Sequence, residues 1–176
     1  EKGSTKCQRC EAGTFSNITG QVCQDCFAGQ FRPSKTKNGN GTDPTKCSDC
    51  PIGWSSDLGS TKCNSCIPGE YQNEKGKPSC KPCLEDTYST KHSSSCTDCP
   101  VGKEAAAKGS AKCAACSAGR FGRGCQKCPL GWKRALEDSD LTKCVQCEKG
   151  SKTTLIGSTT CEKCSLGQYI PSHAVE

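Results

Sequence analysis

All twenty cysteines of this chain fall into C-x-x-C pairs, and nothing else in the sequence restricts its fold as much. The pairs are Cys7 and Cys10, Cys23 and Cys26, Cys47 and Cys50, Cys63 and Cys66, Cys80 and Cys83, Cys96 and Cys99, Cys113 and Cys116, Cys125 and Cys128, Cys144 and Cys147, and Cys161 and Cys164. Most begin 16 or 17 residues after the previous pair; the exceptions are steps of 24, 12 and 19. Self-similarity at a fixed short period is the mark of a repeat array. Cysteine is about 11% of the chain, beyond the ~8–10% that marks a disulfide scaffold. Ile, Leu, Val and Phe together number only 20 of 176 residues, too few for an ordinary hydrophobic core. Ordering the backbone costs roughly 1–2 kcal/mol per residue, so cross-links must supply what apolar burial does not. Disulfides on this scale belong to an oxidising compartment, so a secreted, extracellular or cell-surface location is expected.

A second fixed point follows each pair. Three residues after the second cysteine stands Gly13, Gly29, Gly53, Gly69, Gly102, Gly119, Gly131, Gly150 or Gly167, with Asp86 as the one substitute. Glycine there points to a turn with positive φ, and Asp is among the few residues that tolerate one. An aromatic follows closely in eight repeats, from Phe15 to Tyr169, and is read as cover for a neighbouring disulfide. The string GSTKC occurs at 3–7 and 59–63, with GSAKC at 109–113 and GSTTC at 157–161. Taking these as starts gives a longer period of three C-x-x-C units: 3–58, 59–108, 109–156 and the beginning of a fourth block at 157–176. The expected fold is an elongated array of small disulfide-rich repeats, made of short β-hairpins and turns with little helix and a minimal core. Helical turns are conceivable only at 105–108 and 134–140. The chain opens inside a repeat, as a piece of a longer precursor would.

The C-x-x-C pairs admit three chemistries. Structural disulfides are favoured by composition and repetition together. Zinc would need five four-cysteine sites in succession. Thioredoxin-type redox chemistry needs one reactive pair in a βαβ unit, which ten equivalent pairs do not provide. All twenty cysteines are therefore assigned to disulfides, with no metal or other cofactor expected. Two pairing schemes remain. Either the second cysteine of each pair joins the first of the next (Cys10–Cys23, Cys26–Cys47 and onward), leaving Cys7 and Cys164 over, or pairs join in blocks of four (Cys7–Cys23 with Cys10–Cys26).

The net charge of +6 is scattered, with no basic cluster of the kind nucleic-acid binding requires. No apolar run is long enough to span a membrane. Asn17 and Asn40 head N-glycosylation sequons. His92 and His173 lack recurring partners, and no acid–base constellation suggests an enzyme.

The strings CQRCEAGTFSNITGQVCQDC and CPVGKEAAAKGSAKC resemble the ephrin-receptor-like cysteine-rich repeat, itself akin to EGF-like and tumour-necrosis-factor-receptor modules. The resemblance implies structural disulfides and no catalysis. It leaves two functional expectations. One is a rod-like structural glycoprotein of a surface appendage, matrix or filament, whose partners are other copies of itself or proteins along the rod. The other is a ligand-binding receptor ectodomain. The inserted loop at 35–46, the short segment at 120–124 and the segment 132–141 are where the repeat departs from its pattern, and so where a particular contact is expected.

Overall fold

In nine of the ten C-x-x-C pairs the two residues between the cysteines are a β-strand, Gln8 and Arg9 being the exception. In the computed structural model, which describes residues 7–34 and 43–170, each repeat is one antiparallel hairpin of two-residue strands. The first strand follows the turn glycine and the second lies inside the next C-x-x-C. By contact density the chain divides into two units, Glu1–Cys83 with Ser89–Cys96 and Leu84–Tyr88 with Thr97–Glu176. The first holds β1 (Thr14–Phe15) with β2 (Gln24–Asp25), β3 (Gln30–Phe31) with β4 (Ser48–Asp49), β5 (Trp54–Ser55) with β6 (Asn64–Ser65), and β7 (Glu70–Tyr71) with β8 (Lys81–Pro82). The second holds β9 (Thr87–Tyr88) with β10 (Thr97–Asp98), β11 (Lys103–Glu104) with β12 (Ala114–Ala115), β13 (Arg120–Phe121) with β14 (Gln126–Lys127), β15 (Trp132–Lys133) with β16 (Val145–Gln146), and β17 (Ser151–Lys152) with β18 (Glu162–Lys163). No helix occurs among the described residues; 105–108 and 134–140 form bends and turns instead. Ala105 and Ala135 are the two alanines of the buried core, just after β11 and β15.

An isolated two-stranded hairpin is marginal in water, and two-residue strands are shorter than any that persist alone. Each one here is clamped at both ends. On one side sits a four-residue turn: Thr14 N–H donates to Glu11 O, Gln30 to Phe27 and Glu70 to Ile67. Its third residue is the repeated glycine, with φ of 79° at Gly13, the requirement of a type II turn. Asp86 takes the same place at φ 59°. On the other side is a disulfide from the second cysteine of one pair to the first of the next: Cys10–Cys23, Cys26–Cys47, Cys50–Cys63, Cys66–Cys80, Cys83–Cys96, Cys99–Cys113, Cys116–Cys125, Cys128–Cys144 and Cys147–Cys161. The block-of-four scheme is not formed. Cys7 and Cys164, the two that this scheme leaves over, take part in none of these nine links. The loops closed span 9 to 21 residues, and a link over a loop of ~15 removes about 3 kcal/mol of unfolded-state freedom.

The core is largely sulfur. Of the buried apolar residues all but Ala105 and Ala135 are cysteines, most of them the second of a pair: Cys26, Cys50, Cys66, Cys83, Cys99, Cys116 and Cys128. Each sits where one hairpin hands over to the next.

Candidate functional site

The recurrent site is the seam between successive hairpins, and backbone groups build it. The turn N–H reaches forward to the residue just after the next first strand: Gly13 to Arg32 O, Gly29 to Ser56 O and Gly53 to Gln72 O in the first unit. In the second, Asp86 donates to Ala105 O, Gly102 to Gly122 O and Gly119 to Arg134 O. The loop of the later hairpin answers. Gly59 N–H donates to Cys26 O while Ser60 O accepts from Arg32 N–H; Gly157 and Ser158 do the same to Cys128 and Arg134. GSTKC and GSTTC are thus docking loops. Gly76 and His92 make the equivalent donation, to Cys50 O and Cys66 O, without that string.

Contact extends one hairpin further. A Cβ on Gly13 would lie 2.1 Å from Gly59 O, one on Gly29 2.1 Å from Gly76 O, and one on Gly119 2.0 Å from Gly157 O. No side chain fits those gaps. The turn glycine is therefore required twice, by its own φ and by the carbonyl of the hairpin two places on.

The seat three residues after the turn glycine was not singled out in the sequence. It is buried in seven repeats, where it holds Arg32, Ser56, Gln72, Ser89, Ala105, Arg134 or Thr153, and half-buried at Ser16 and Gly122. Small hydroxyls there bond the preceding hairpin: Ser56 Oγ donates to Gln30 O at 2.9 Å, Ser89 Oγ to Glu70 O at 2.9 Å, and Thr153 Oγ1 accepts from Gly131 N–H at 2.7 Å. The two arginines are clamps of one design. Arg134, 1% exposed, reaches back with Nη2 to Cys116 O at 2.7 Å and to Ser117 O, and with Nε to Arg120 O. Arg32 makes the equivalent bonds to Cys10 O at 2.7 Å, to Glu11 O and to Thr14 O at 2.5 Å. In both cases the acceptors are the second cysteine, the residue after it and the first residue of the strand. The guanidinium fork suits this array of carbonyls, each bond being charge-assisted. It reads backbone alone, so any hairpin with this turn can be gripped. The signal was faint because Arg, Ser, Gln, Ala and Thr share the seat and no apolar pattern marks it.

Away from the seam, exposed apolar residues lie in the hairpin loops, as Val22, Leu136 and Leu155 do, and recur at the turn tips. Phe27, Ile52 and Ile67 in the first unit, and Leu84, Val101, Leu130 and Leu166 in the second, stand exposed one or two residues after a second cysteine. Asn17 is exposed in the loop joining β1 to β2. Asn40, His173 and most of the 35–46 insertion lie outside the described residues. His92 is exposed, with φ 65°, and its ring lies 4.6 Å from that of Trp54. The 120–124 segment closes the shortest disulfide loop and supplies Gly122 at the buried seat's register. In 132–141, Ala135 N–H donates to Asp138 Oδ2 at 2.6 Å, and Asp140 begins a variant of the docking string. Asp140 Oδ1 accepts from Thr142 Oγ1 at 2.6 Å and Thr142 N–H at 2.9 Å, with Lys143 at 3.2 Å from the other oxygen. Asp43 and Thr45 repeat this pattern. The Thr142 hydroxyl, then its N–H, then Lys143 bring the Asp140 carboxyl down to about 2.

Residues 53–95 match the family described as tyrosine-protein kinase ephrin type A/B receptor-like. No curated protein matches the chain. The match starts on a turn glycine and runs through two disulfides, Cys66–Cys80 and the closing part of Cys50–Cys63, to the loop before Cys96. Residues 53–95 are therefore an ephrin-receptor-like cysteine-rich segment, and hairpins of the same construction flank it on both sides in the chain.

Proposed function

We propose that the chain is an extracellular, non-catalytic structural glycoprotein segment, a rod-like part or protomer of a cell-surface appendage, matrix or filament. The observation that carries this reading is the seam: its bonds consume backbone groups and recur from hairpin to hairpin, so the architecture can be extended by repetition alone. Disulfide density supports an oxidising, extracellular setting, and the ephrin-receptor-like match is in keeping with it. Exposed Asn17 suits an N-linked glycan, Asn40 is the second candidate, and other copies or proteins along the rod are the partners. No described helix is long and apolar enough to cross a membrane. Electron microscopy of the purified chain is expected to show thin particles and end-to-end strings; isolated globules at every concentration would refute the reading.

A receptor-type, ligand-binding ectodomain is the second reading, favoured by the same family match and by the exposed apolar tips. It expects that replacing 132–141 with the corresponding part of a plain repeat abolishes binding of labelled protein to cells. Unchanged binding, with the insertion at 35–46 replaced as well, removes its support.

A further inference from the structure

The loop that joins β1 to β2 carries the acceptor motif Asn17-Ile18-Thr19, which begins two residues beyond an aromatic, Phe15. Consecutive Cα atoms are ~3.8 Å apart, so the Cα atoms of Phe15 and Asn17 are separated by at most about 7 Å. An asparagine side chain bearing one sugar ring spans that distance. The loop is tied by its own groups: Ser16 Oγ donates to Ile18 O at 3.0 Å, and Gln21 N–H donates to the same carbonyl at 3.3 Å. Asn17 and Thr19 are both exposed, so the motif is presented to solvent rather than packed. Phe15 is half-buried, and its ring meets that of Phe27, at the tip of the following hairpin, edge-on at 6.1 Å. Phe27 is 61% exposed, and Ile18 and Val22 of the acceptor loop are exposed as well. Apolar surface therefore stands open beside the acceptor. Asn40 has no such neighbour in sequence, since residues 35–39 before it read KTKNG.

We propose that the first N-acetylglucosamine of a glycan on Asn17 stacks on the Phe15–Phe27 pair, so that these rings are a seat for the chain's own sugar and the glycan braces the first hairpin. This deepens the glycoprotein reading and rests on it. One face of such a sugar ring presents axial C–H bonds, apolar and weakly positive, and an aromatic ring has a negative face. Their contact removes apolar surface from water, while the hydroxyls project from the edge of the sugar and stay hydrated. The occupant is the Asn17 glycan because its tether begins two residues from the ring, which gives it an effective concentration that a free sugar does not reach. The covalent step transfers an oligosaccharide from a lipid-linked pyrophosphate donor. Asn17 Nδ2 bonds to C1 of the first sugar as the bond from C1 to the pyrophosphate oxygen breaks. The lipid pyrophosphate leaves with that electron pair, and the amide proton passes to a base of the transferase. Thr19 supplies the hydroxyl that the acceptor motif requires.

The test secretes the 176-residue chain carrying Thr42→Ala from a host that performs this transfer, which leaves Asn17 at the head of the sole N-x-S/T motif, and trims the product to one sugar with an endoglycosidase. Mass spectrometry is expected to find the sugar on the Asn17 peptide. In NMR spectra its axial protons are expected upfield of their positions on the reduced, unfolded chain, with cross-relaxation to the Phe15 ring. Phe15→Leu, which keeps apolar bulk at a half-buried position, should abolish that shift. Against the Thr19→Ala chain, which carries no sugar, amide exchange should slow about two- to tenfold at Gln21 and at Cys26, as one aromatic contact allows. Cys26 N–H closes the first hairpin on Gly13 O; Cys66 N–H, which closes the third on Gly53 O, should not change. Sugar protons at their unfolded-chain positions, or equal slowing in Phe15→Leu, would overturn the seat and leave the glycoprotein reading standing. An unmodified Asn17 in the secreted product overturns both. If Phe15→Leu does not fold, Phe27→Leu at the exposed ring takes its place, and an undiminished upfield shift there overturns the seat.

Discussion

Gly119 and Gly150 hold the same place in the same turn, at φ 76° and 77°, but only one has a neighbour. A Cβ on Gly119 would strike Gly157 O at 2.0 Å; a Cβ on Gly150 would meet nothing within 4 Å. The local demand is equal and the stacking demand is not. The motif glycine therefore serves two purposes, and the second exists only where another hairpin lies two places on. The same contrast runs through the whole seam: one repeated backbone scaffold, with a load that depends on what is docked against it.

The largest expected effect comes from opening an interior loop. Replacing Cys128 and Cys144 together by Ser should cost about 2–5 kcal/mol, seen as a lower urea midpoint. The change should also release the seam bonds that Gly157 and Ser158 make to Cys128 and Arg134. Next, Arg134→Ala strips donors from three carbonyls, that of buried Cys116 and those of Ser117 and Arg120, a loss of about 2–4 kcal/mol. At the same register Ser89→Ala loses one hydroxyl bond, about 0.5–1.5 kcal/mol. Equal losses at the two seats would break the view that the arginine is a multi-point clamp.

Glycine substitution sharpens the comparison itself. Gly150→Ala should cost only the positive-φ penalty, about 1–2 kcal/mol. Gly119→Ala should add roughly 1–3 kcal/mol for the clash, and amide exchange should rise at Gly157 and nowhere near Cys164. The same loss at both positions would show that the stacking contact carries no weight.

The smallest effect is electrostatic. The Asp140 carboxyl is held down to about 2, below the ordinary aspartate value of 3.8, mainly through the Thr142 hydroxyl. A depressed carboxylate contributes stability that is complete above its unfolded pKa and is lost as pH falls toward 2. Thr142→Val should raise the Asp140 pKa toward 3.8 in a carboxyl NMR titration, while Asp43, held by Thr45, stays low.

Much of this was legible in the sequence because glycine and cysteine carry their constraints locally. Positive φ at Gly13, and at Asp86 in its stead, follows from a type II turn, and hairpins without helix follow from short polar repeats. The disulfide scheme was not legible, since both candidates preserve the C-x-x-C spacing. What decides is that the intervening residues are themselves a strand, so a first cysteine must close the hairpin behind it. The buried seat was hidden for a different reason. Its occupants bond to carbonyls rather than to a matching side chain, so Arg32, Ser56 and Gln72 share a place without sharing a chemistry. The docking role of GSTKC was not legible either: its Gly59 and Ser60 bond back to Cys26 and Arg32, and D-x-T-K-C at Asp43 and Asp140 stands at the same distance before a first cysteine. Aspartate there replaces a backbone turn with a side-chain one, a substitution that letter matching does not reveal.

The account stands on one register, in which every second cysteine is joined to the next first cysteine. Disulfide mapping of the unreduced protein by proteolysis and mass spectrometry tests it most directly. The expected map contains Cys10–Cys23, Cys26–Cys47 and the seven later links of the same series through Cys147–Cys161, with Cys7 and Cys164 never joined to any of those eighteen. A map showing Cys7–Cys23 with Cys10–Cys26 would contradict it, because those bonds close blocks of four and leave no hairpin seam to repeat.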